Sequence, residues 1–315
     1  MQPDTECFAI VGGGFGLYGY LPALINVING RILLPVKYRE TISARRELAQ
    51  YDCHIDWQPT IEMVLAKASG VVIAVPPRFQ FSIMKDVLRA ENIRQIIIEK
   101  PVAPTPDAAK ELFDDPLMKS KKLRVGYLFL YTDWYPLVAE LVTRPLRQLK
   151  IVWHFEADHI SKNKETWKRY HSLGGGALRF YGIHLIAVLA SLGYKDVKNK
   201  VMEVCLSDQP VSWTAIFCGE DIPQCEVIVS TVSVRNEFSI LSIDSFGCTR
   251  VLHSASSPFP HQNQRGEADG RVPILERLIR SLELEDTYFN ELYRRSNILW
   301  DKAELFDDFS WSSKV

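Results

Sequence analysis

Residues 8–16, Phe-Ala-Ile-Val-Gly-Gly-Gly-Phe-Gly, run an apolar strand straight into a glycine cluster near the beginning of the chain. Glycine is needed where a chain turns sharply from strand to helix and where a phosphate must approach bare backbone. The N-terminus of the following helix also offers unpaired N–H groups to an anion. Because the apolar helix Leu21–Ile28 follows, the stretch predicts a nucleotide-phosphate site at the first strand-to-helix turn of a parallel sheet. Gly12 and Gly14 fit the first two positions of Gly-x-Gly-x-x-Gly, Leu17 holds the third, and Phe15 and Gly16 complete the loop. A flexible turn between two core elements would look the same locally, so the pattern has to be sought further along.

It repeats. Strand-like runs at Cys7–Val11, Arg31–Val36, Val71–Val75, Gln95–Ile98 and Leu123–Gly126 alternate with helical periods at Tyr20–Ile28, Ile42–Gln50, Ile61–Ala68 and Phe79–Ala90. This alternation predicts an α/β fold that opens with a doubly wound parallel sheet, a Rossmann domain over residues 1–125. Pro101, Pro104 and Pro106 break any helix and mark the crossing to a second domain, 126–315. There, β-branched and aromatic runs at Gln148–Ala157, Lys198–Leu206, Val211–Phe217, Glu226–Val234, Glu237–Ile243 and Cys248–His253 surround one helix at Ala177–Leu192. They predict an α+β domain with a mostly antiparallel open sheet. Ser254–Gly270 reads as a mobile loop, and closing helices near Val272–Leu284 and Thr287–Glu304 are expected to return toward the first domain.

With 315 residues, 47% of them apolar, the chain can bury two sizeable cores. Its 37 basic and 38 acidic residues leave a net charge of −1, which gives no nucleic-acid footprint and no attraction to anionic membranes. Six cysteines, at 7, 53, 205, 218, 225 and 248, form no Cys-x-x-Cys pair, which predicts a reduced protein. The first residues lack a basic-then-apolar leader, and no long apolar run suggests a membrane span, so the expected compartment is the cytoplasm.

Two further stretches carry chemistry. Ile96-Ile97-Ile98-Glu99-Lys100-Pro101 ends a buried strand in an acid and a lysine, and ligands of doubly wound sheets bind at the carboxyl ends of strands. Lys100 there can donate a proton to a developing alkoxide, and it can equally be a surface lysine at a strand end. Gly174-Gly175-Gly176-Ala177-Leu178-Arg179-Phe180-Tyr181-Gly182-Ile183-His184 opens a helix on which Tyr181 and His184, three apart, share one α-helical face suited to proton transfer. A satisfied core histidine is the plainer reading of His184.

The ordered set resembles the glucose–fructose oxidoreductase / inositol dehydrogenase (Gfo/Idh/MocA) family of NAD(P)-dependent oxidoreductases over nearly the whole chain. The matching features are the glycine loop at 12–16 with Leu21-Pro22-Ala23-Leu24 behind it, Val75-Pro76-Pro77, Glu99-Lys100-Pro101 and the triple-glycine helix with His184. The resemblance implies cofactor contacts from the glycine loop, Pro76, Pro77, Glu99 and Lys100, and hydride transfer at a carbonyl or imine carbon of a sugar-derived or other biosynthetic intermediate. It implies that Lys100 binds the reacting oxygen, that the peptide before Pro101 is cis, that His184 transfers the proton, and that homodimers or homotetramers form through the C-terminal sheet. This chain departs from the family pattern where Phe180 replaces an aspartate, Ala187 an acid, Gln80 a histidine and Val75 a small hydroxyl residue. These losses make a simple polyol an unexpected substrate and leave a catalytically degenerate, nucleotide-binding sensor or scaffold as the alternative.

Lys37 and Arg39 stand where an NAD-specific fold places the acid for the ribose 2′-hydroxyl, which favours NADP(H). Glu40 keeps NAD(H) open, and both cations would also suit a solvated strand end. Trp167, Arg169 and Phe180 are candidate contacts for a large anionic or planar small-molecule substrate, while an exposed loop or an oligomer contact would use the same residues. The histidines 154, 159, 171 and 184 lack metal-pair spacing, so no metal is expected.

Overall fold

The computed structural model describes residues 6–260 and 267–304. In its first half the order is β1 Cys7–Val11, α1 Leu21–Val27, β2 Arg31–Pro35, α2 Arg39–Ser43, α3 Arg46–Ala49, β3 Ile55–Gln58, α4 Ile61–Lys67, β4 Gly70–Ile73, α5 Pro77–Arg89, β5 Gln95–Ile98, α6 Pro106–Phe113 and β6 Lys122–Val125. Then come α7 Tyr135–Leu141, β7 Gln148–Glu156, α8 Asp158–Ser161, α9 Ile183–Ser191, β8 Asp196–Leu206, β9 Gln209–Cys218, β10 Gln224–Ser230, β11 Val232–Ile243, β12 Thr249–Ala255, α10 Val272–Arg280 and α11 Asp286–Glu304. The chain divides into two compact units. One is built from Met1–Val102, Glu111–Tyr131 and Phe259–Asn290, the other from Ala103–Lys110, Thr132–Pro258 and Glu291–Val315.

The first unit holds a six-stranded sheet in the order β3-β2-β1-β4-β5-β6, with every strand pair parallel. The order reverses between β1 and β4, so the crevice outside their carboxyl ends is where such a sheet receives a ligand. Both faces of the sheet are covered, which is why its inner strands read as unbroken apolar runs: Val71, Val72, Ile73, Ile96 and Ile97 are fully buried. Helix α10 lays Ile274, Leu275 and Leu278 into the same core as Leu21 and Leu24 of α1. The fully buried Arg124 ties β6 to the segment behind α10. It donates to Asp286 Oδ1 at 2.7 Å and to the Ser281 and Leu284 carbonyls, and its guanidinium lies 3.8 Å from the Phe289 ring centroid.

Local details differ from expectation for physical reasons. Edge strand β3, Ile-Asp-Trp-Gln, alternates too weakly to be read from sequence, and only its first and last residues are buried. The single helix expected at Ile42–Gln50 is two short ones, because Arg45 adopts an extended conformation between them (φ −115°, ψ 111°). Pro106 opens α6 rather than breaking a helix, as proline can where its missing N–H would have no intrahelical partner.

The second unit's sheet has the order β12-β11-β7-β10-β9-β8 and is antiparallel except for the β7–β10 pair, which runs parallel from Gln148↔Gln224 to His154↔Ser230. The run expected as one strand at Glu226–Val234 is interrupted at the buried Thr231, whose N–H and Oγ1 both donate to the Val211 carbonyl at 2.8 Å. Helices α7 and α8 were not foreseen. From Ile183 to Ala190 every residue of α9 is buried. The helical run His171–Ser191 is long and apolar enough to cross a bilayer by length and composition, yet 83% of its apolar window is buried within the protein, as befits a core helix. Part of the expected mobile loop, residues 261–266, lies outside the described residues.

Candidate functional site

Each unit carries one cluster of candidate residues. In the first, the glycine loop is shaped by two different constraints. Gly12 has φ +144°, and a Cβ there would lie 2.2 Å from the Ala74 carbonyl oxygen, so only glycine fits. A Cβ on Gly14 would meet nothing within 4 Å, which leaves open ground above the backbone where a phosphate can approach. The Gly14 carbonyl accepts from Leu17 N–H at 2.9 Å, and residues Gly16–Tyr20 form a π-helical turn before α1, a widening often found at functional sites. Gly12 N–H donates to the Tyr38 hydroxyl at 3.1 Å, which anchors the loop to the segment after β2. This open cradle at a helix start fits the diphosphate of a dinucleotide, whose nicotinamide, when bound, supplies the hydride chemistry.

Phe15 turns inward. Its ring packs 5.4 Å from Tyr20, and the Arg271 guanidinium stacks on it at 4.1 Å. Two hydrogen bonds to Asp269, at 2.9 and 2.7 Å, hold that guanidinium, and although burial alone would lower its pKa, the aspartate keeps it above the ordinary value. Beneath the loop, Tyr20 donates to Glu99 Oε1 at 2.6 Å. Burial raises the Glu99 carboxyl above the usual range against the opposing pull of Lys100 and of this hydrogen bond. Lys100 itself is largely buried, and the Lys100–Pro101 peptide is cis.

Gln80 proves to be the residue that frames this turn. Its Nε2 donates to the carbonyls of Glu99 at 2.9 Å and Pro101 at 2.7 Å, on either side of Lys100. Pro76 caps α5 and Pro77 is its first residue, which sets Gln80 one turn in. Lys37 and Arg39 are exposed, lie over the Tyr38 and Trp57 rings, and form no ion pair with the described carboxylates.

In the second unit the triple glycine opens on another π-helical turn, Ala177–Gly182, before α9. The expectation that Tyr181 and His184 share an α-helical face rested on α spacing, whereas Tyr181 belongs to the wider turn and His184 to the first turn of α9. His184 is 3% exposed. Tyr181 sits in an aromatic nest with Phe155 at 4.8 Å, Phe180 at 4.7 Å and Trp153 at 5.5 Å, and Trp167 meets Phe180 edge-on at 5.2 Å. Burial pushes the Tyr181 phenol well up, so it keeps its proton. Ala187 is fully buried.

The glycine stretch is pinned by a contact no motif announces. Arg179 donates through Nε and Nη2 to both oxygens of Glu304, at 2.5 Å each, and through Nη1 to the carbonyls of Pro104 and His171 at 2.8 Å. The Trp300 indole N–H also donates to Glu304, at 2.6 Å. Among the described residues no cluster of three or more His, Cys, Asp or Glu side chains has a metal-site arrangement.

Residues 7–127 match the oxidoreductase family GFO_IDH_MocA, described by its NAD-binding Rossmann fold. The match covers the chain from β1 to β6. An uncharacterized oxidoreductase of Schizosaccharomyces pombe is 31% identical over 126 residues, which cover 39% of this chain and 33% of that protein, about a third of its length. Solved structures share the whole fold. GenD2 from gentamicin A biosynthesis, in complex with NAD, aligns over 96% of both chains at TM-score 0.70 and 15% identity. A putative myo-inositol dehydrogenase from Sinorhizobium meliloti aligns over 94% of this chain and 95% of its own at TM-score 0.68 and 16% identity. The WlbA dehydrogenase from Bordetella pertussis, in complex with NADH and UDP-GlcNAcA, aligns over 96% of this chain and 90% of its own at TM-score 0.64 and 14% identity.

Proposed function

We propose that this protein is an NAD(P)-dependent oxidoreductase that moves a hydride to or from a carbonyl or imine carbon of a sugar-derived or other biosynthetic small molecule. The observation that carries the reading is the glycine loop: a turn that only Gly12 can make, followed by open ground at Gly14, at the strand-order reversal of the parallel sheet. Lys100 orients the reacting oxygen and His184 transfers the proton. NADP(H) is the preferred cofactor, because exposed Lys37 and Arg39 are available to a 2′-phosphate while the strand before them ends in Pro35 rather than an acid. The enzyme works in the cytoplasm as a homodimer or homotetramer through the second sheet, whose strands expose Val201, Leu206, Val232, Val234 and Val251.

Fluorescence titration with NADPH and NADH tests the cofactor. NADPH is expected to bind more tightly, and a Lys37→Ala, Arg39→Ala double variant to lose that margin while NADH binding holds. Lys100→Ala and His184→Ala are expected to bind NADPH normally and to lose turnover with a substrate found by screening carbonyl sugars and sugar acids. Failure of both nucleotides to bind would end this reading, and light scattering of the purified chain tests the oligomer.

A further inference from the structure

We propose that Arg271 is a coenzyme-positioning residue: its guanidinium clamps the Phe15 ring and so holds the glycine loop in the shape that receives a dinucleotide. The role in coenzyme binding rests on the oxidoreductase reading above, while the clamp is made of contacts that all lie within the first unit.

Residues 12–16 are Gly-Gly-Gly-Phe-Gly, so Phe15 carries the only side chain through which packing can order this turn. Glycine loses more conformational freedom on ordering than any other residue, and a loop not held beforehand spends coenzyme affinity on becoming ordered. Two neighbours hold the ring. The Arg271 guanidinium lies 4.1 Å from its centroid, and Gly19 lets the ring close down on the π-helical turn, where a Cβ would stand 2.3 Å from Cε2. Tyr18 and Tyr20 each pack 5.4 Å from the same ring. With Gly12 N–H bonded to the Tyr38 hydroxyl, the loop is fastened on both sides of Gly14.

The guanidinium is itself fixed. Asp269 accepts from Arg271 Nε at 2.9 Å and Nη2 at 2.7 Å, and its Oδ1 also accepts the Arg271 backbone N–H at 2.9 Å. The carboxylate takes the edge of the guanidinium and leaves the flat face to stack, which an ammonium lacks. Arg271 immediately precedes α10, which shares a core with Leu21 and Leu24 of α1, so the clamp stands on a packed helix. The Arg271 side chain keeps 29% of its surface exposed, so its replacement leaves no hole in that core.

Fluorescence titration of the full chain with NADPH and NADH, at a temperature where circular dichroism shows each variant folded, tests the proposal. Arg271→Lys keeps a charge beside Asp269 and loses the flat face. Its Kd for the coenzyme that wild type binds is expected to rise about fivefold or more. Phe15→Leu should raise it comparably, and the double variant should bind no worse than the weaker single, because both changes remove one stack. Gly19→Ala should also raise Kd by pushing the ring aside, although alanine is the better helix former. A purely structural role would lower Tm and leave the Kd of the folded protein unmoved. Arg271→Lys binding as tightly as wild type, or losses that multiply in the double variant, overturns the clamp. If Arg271→Lys does not fold, Phe15→Leu and Gly19→Ala decide, raised Kd supporting the clamp and wild-type Kd overturning it. Wild type that binds neither nucleotide defeats the oxidoreductase reading and the positioning role with it, whereas binding that no variant weakens defeats the positioning role alone.

Discussion

Alanine at Gly12 and at Gly14 should fail in opposite ways. At Gly12 the backbone stands at φ +144°, and the added Cβ would lie 2.2 Å from the Ala74 oxygen and 2.7 Å from its carbonyl carbon. A non-glycine residue held in such a conformation costs ~1–3 kcal/mol. The obstacle is backbone, fixed by the 2.8 Å bond from Ala74 N–H to the Val11 carbonyl, so it cannot swing aside as a side chain would. Forcing it to shift adds ~1–3 kcal/mol. The sum, ~2–6 kcal/mol at ~2–4 °C per kcal/mol, lowers Tm by roughly 4–24 °C. At Gly14 the new methyl touches nothing within 4 Å, so Tm is expected to stay near wild type. That methyl nevertheless occupies the ground a diphosphate needs, and the Kd for NADPH should rise about tenfold, ~1.4 kcal/mol, or more. Scanning calorimetry without nucleotide and fluorescence titration with NADPH read the two effects separately. If Gly12→Ala melts with wild type, or Gly14→Ala binds NADPH as tightly, the account of the loop is wrong.

Gln80→Leu strips the hydrogen bonds from the carbonyls flanking Lys100, and each stranded acceptor costs ~1–3 kcal/mol. Turnover is expected to fall much further than NADPH affinity, and equal losses in both would count against a framing role. Arg179→Met leaves the Glu304 carboxylate buried without its cation, which costs ~3–5 kcal/mol, and a urea midpoint within error of wild type would refute the anchor. Acid should destabilise the fold through His159 and His171, both lowered by burial from 6.5 to about 4. Between those values the unfolded chain binds more protons than the folded one, so the contribution is complete above about 6.5 and is lost as pH falls toward 4. His171→Asn is expected to retain more of its pH 7 stability at pH 5 than wild type does, and parallel pH profiles would contradict the assignment.

The parts of the fold visible in the sequence were those written in local periodicity. β1 and β5 fall where apolar spacing put them, because nearly every residue of each is buried, and α4 falls there with Val64 alone fully buried. Edge strand β3 escaped because half its residues face away from the core, and an edge position needs little apolar pattern. The π-helical turns after both glycine clusters were also invisible, since nothing in Gly-Leu-Tyr-Gly-Tyr distinguishes a wide turn from an α-helical one. Candidate residues were legible where a motif names them, as at Gly12 and Lys100. Gln80 stood out only as a departure from a family pattern, and its bonds to backbone 19 and 21 residues away gave no local signal. Arg179 and Glu304, 125 positions apart, could be matched only in three dimensions.

The hydrogen bond from Gly12 to Tyr38 has a consequence for anyone redesigning coenzyme choice. On the proposed NADP(H) reading, Lys37 and Arg39 are the targets for a swap toward NADH; they flank the tyrosine bonded to the glycine loop, and a segment graft across all three would change the loop while aiming only at the ribose. On that reading an efficient switch should come from point changes that spare Tyr38, and whole-segment transplants should yield proteins weak for both coenzymes.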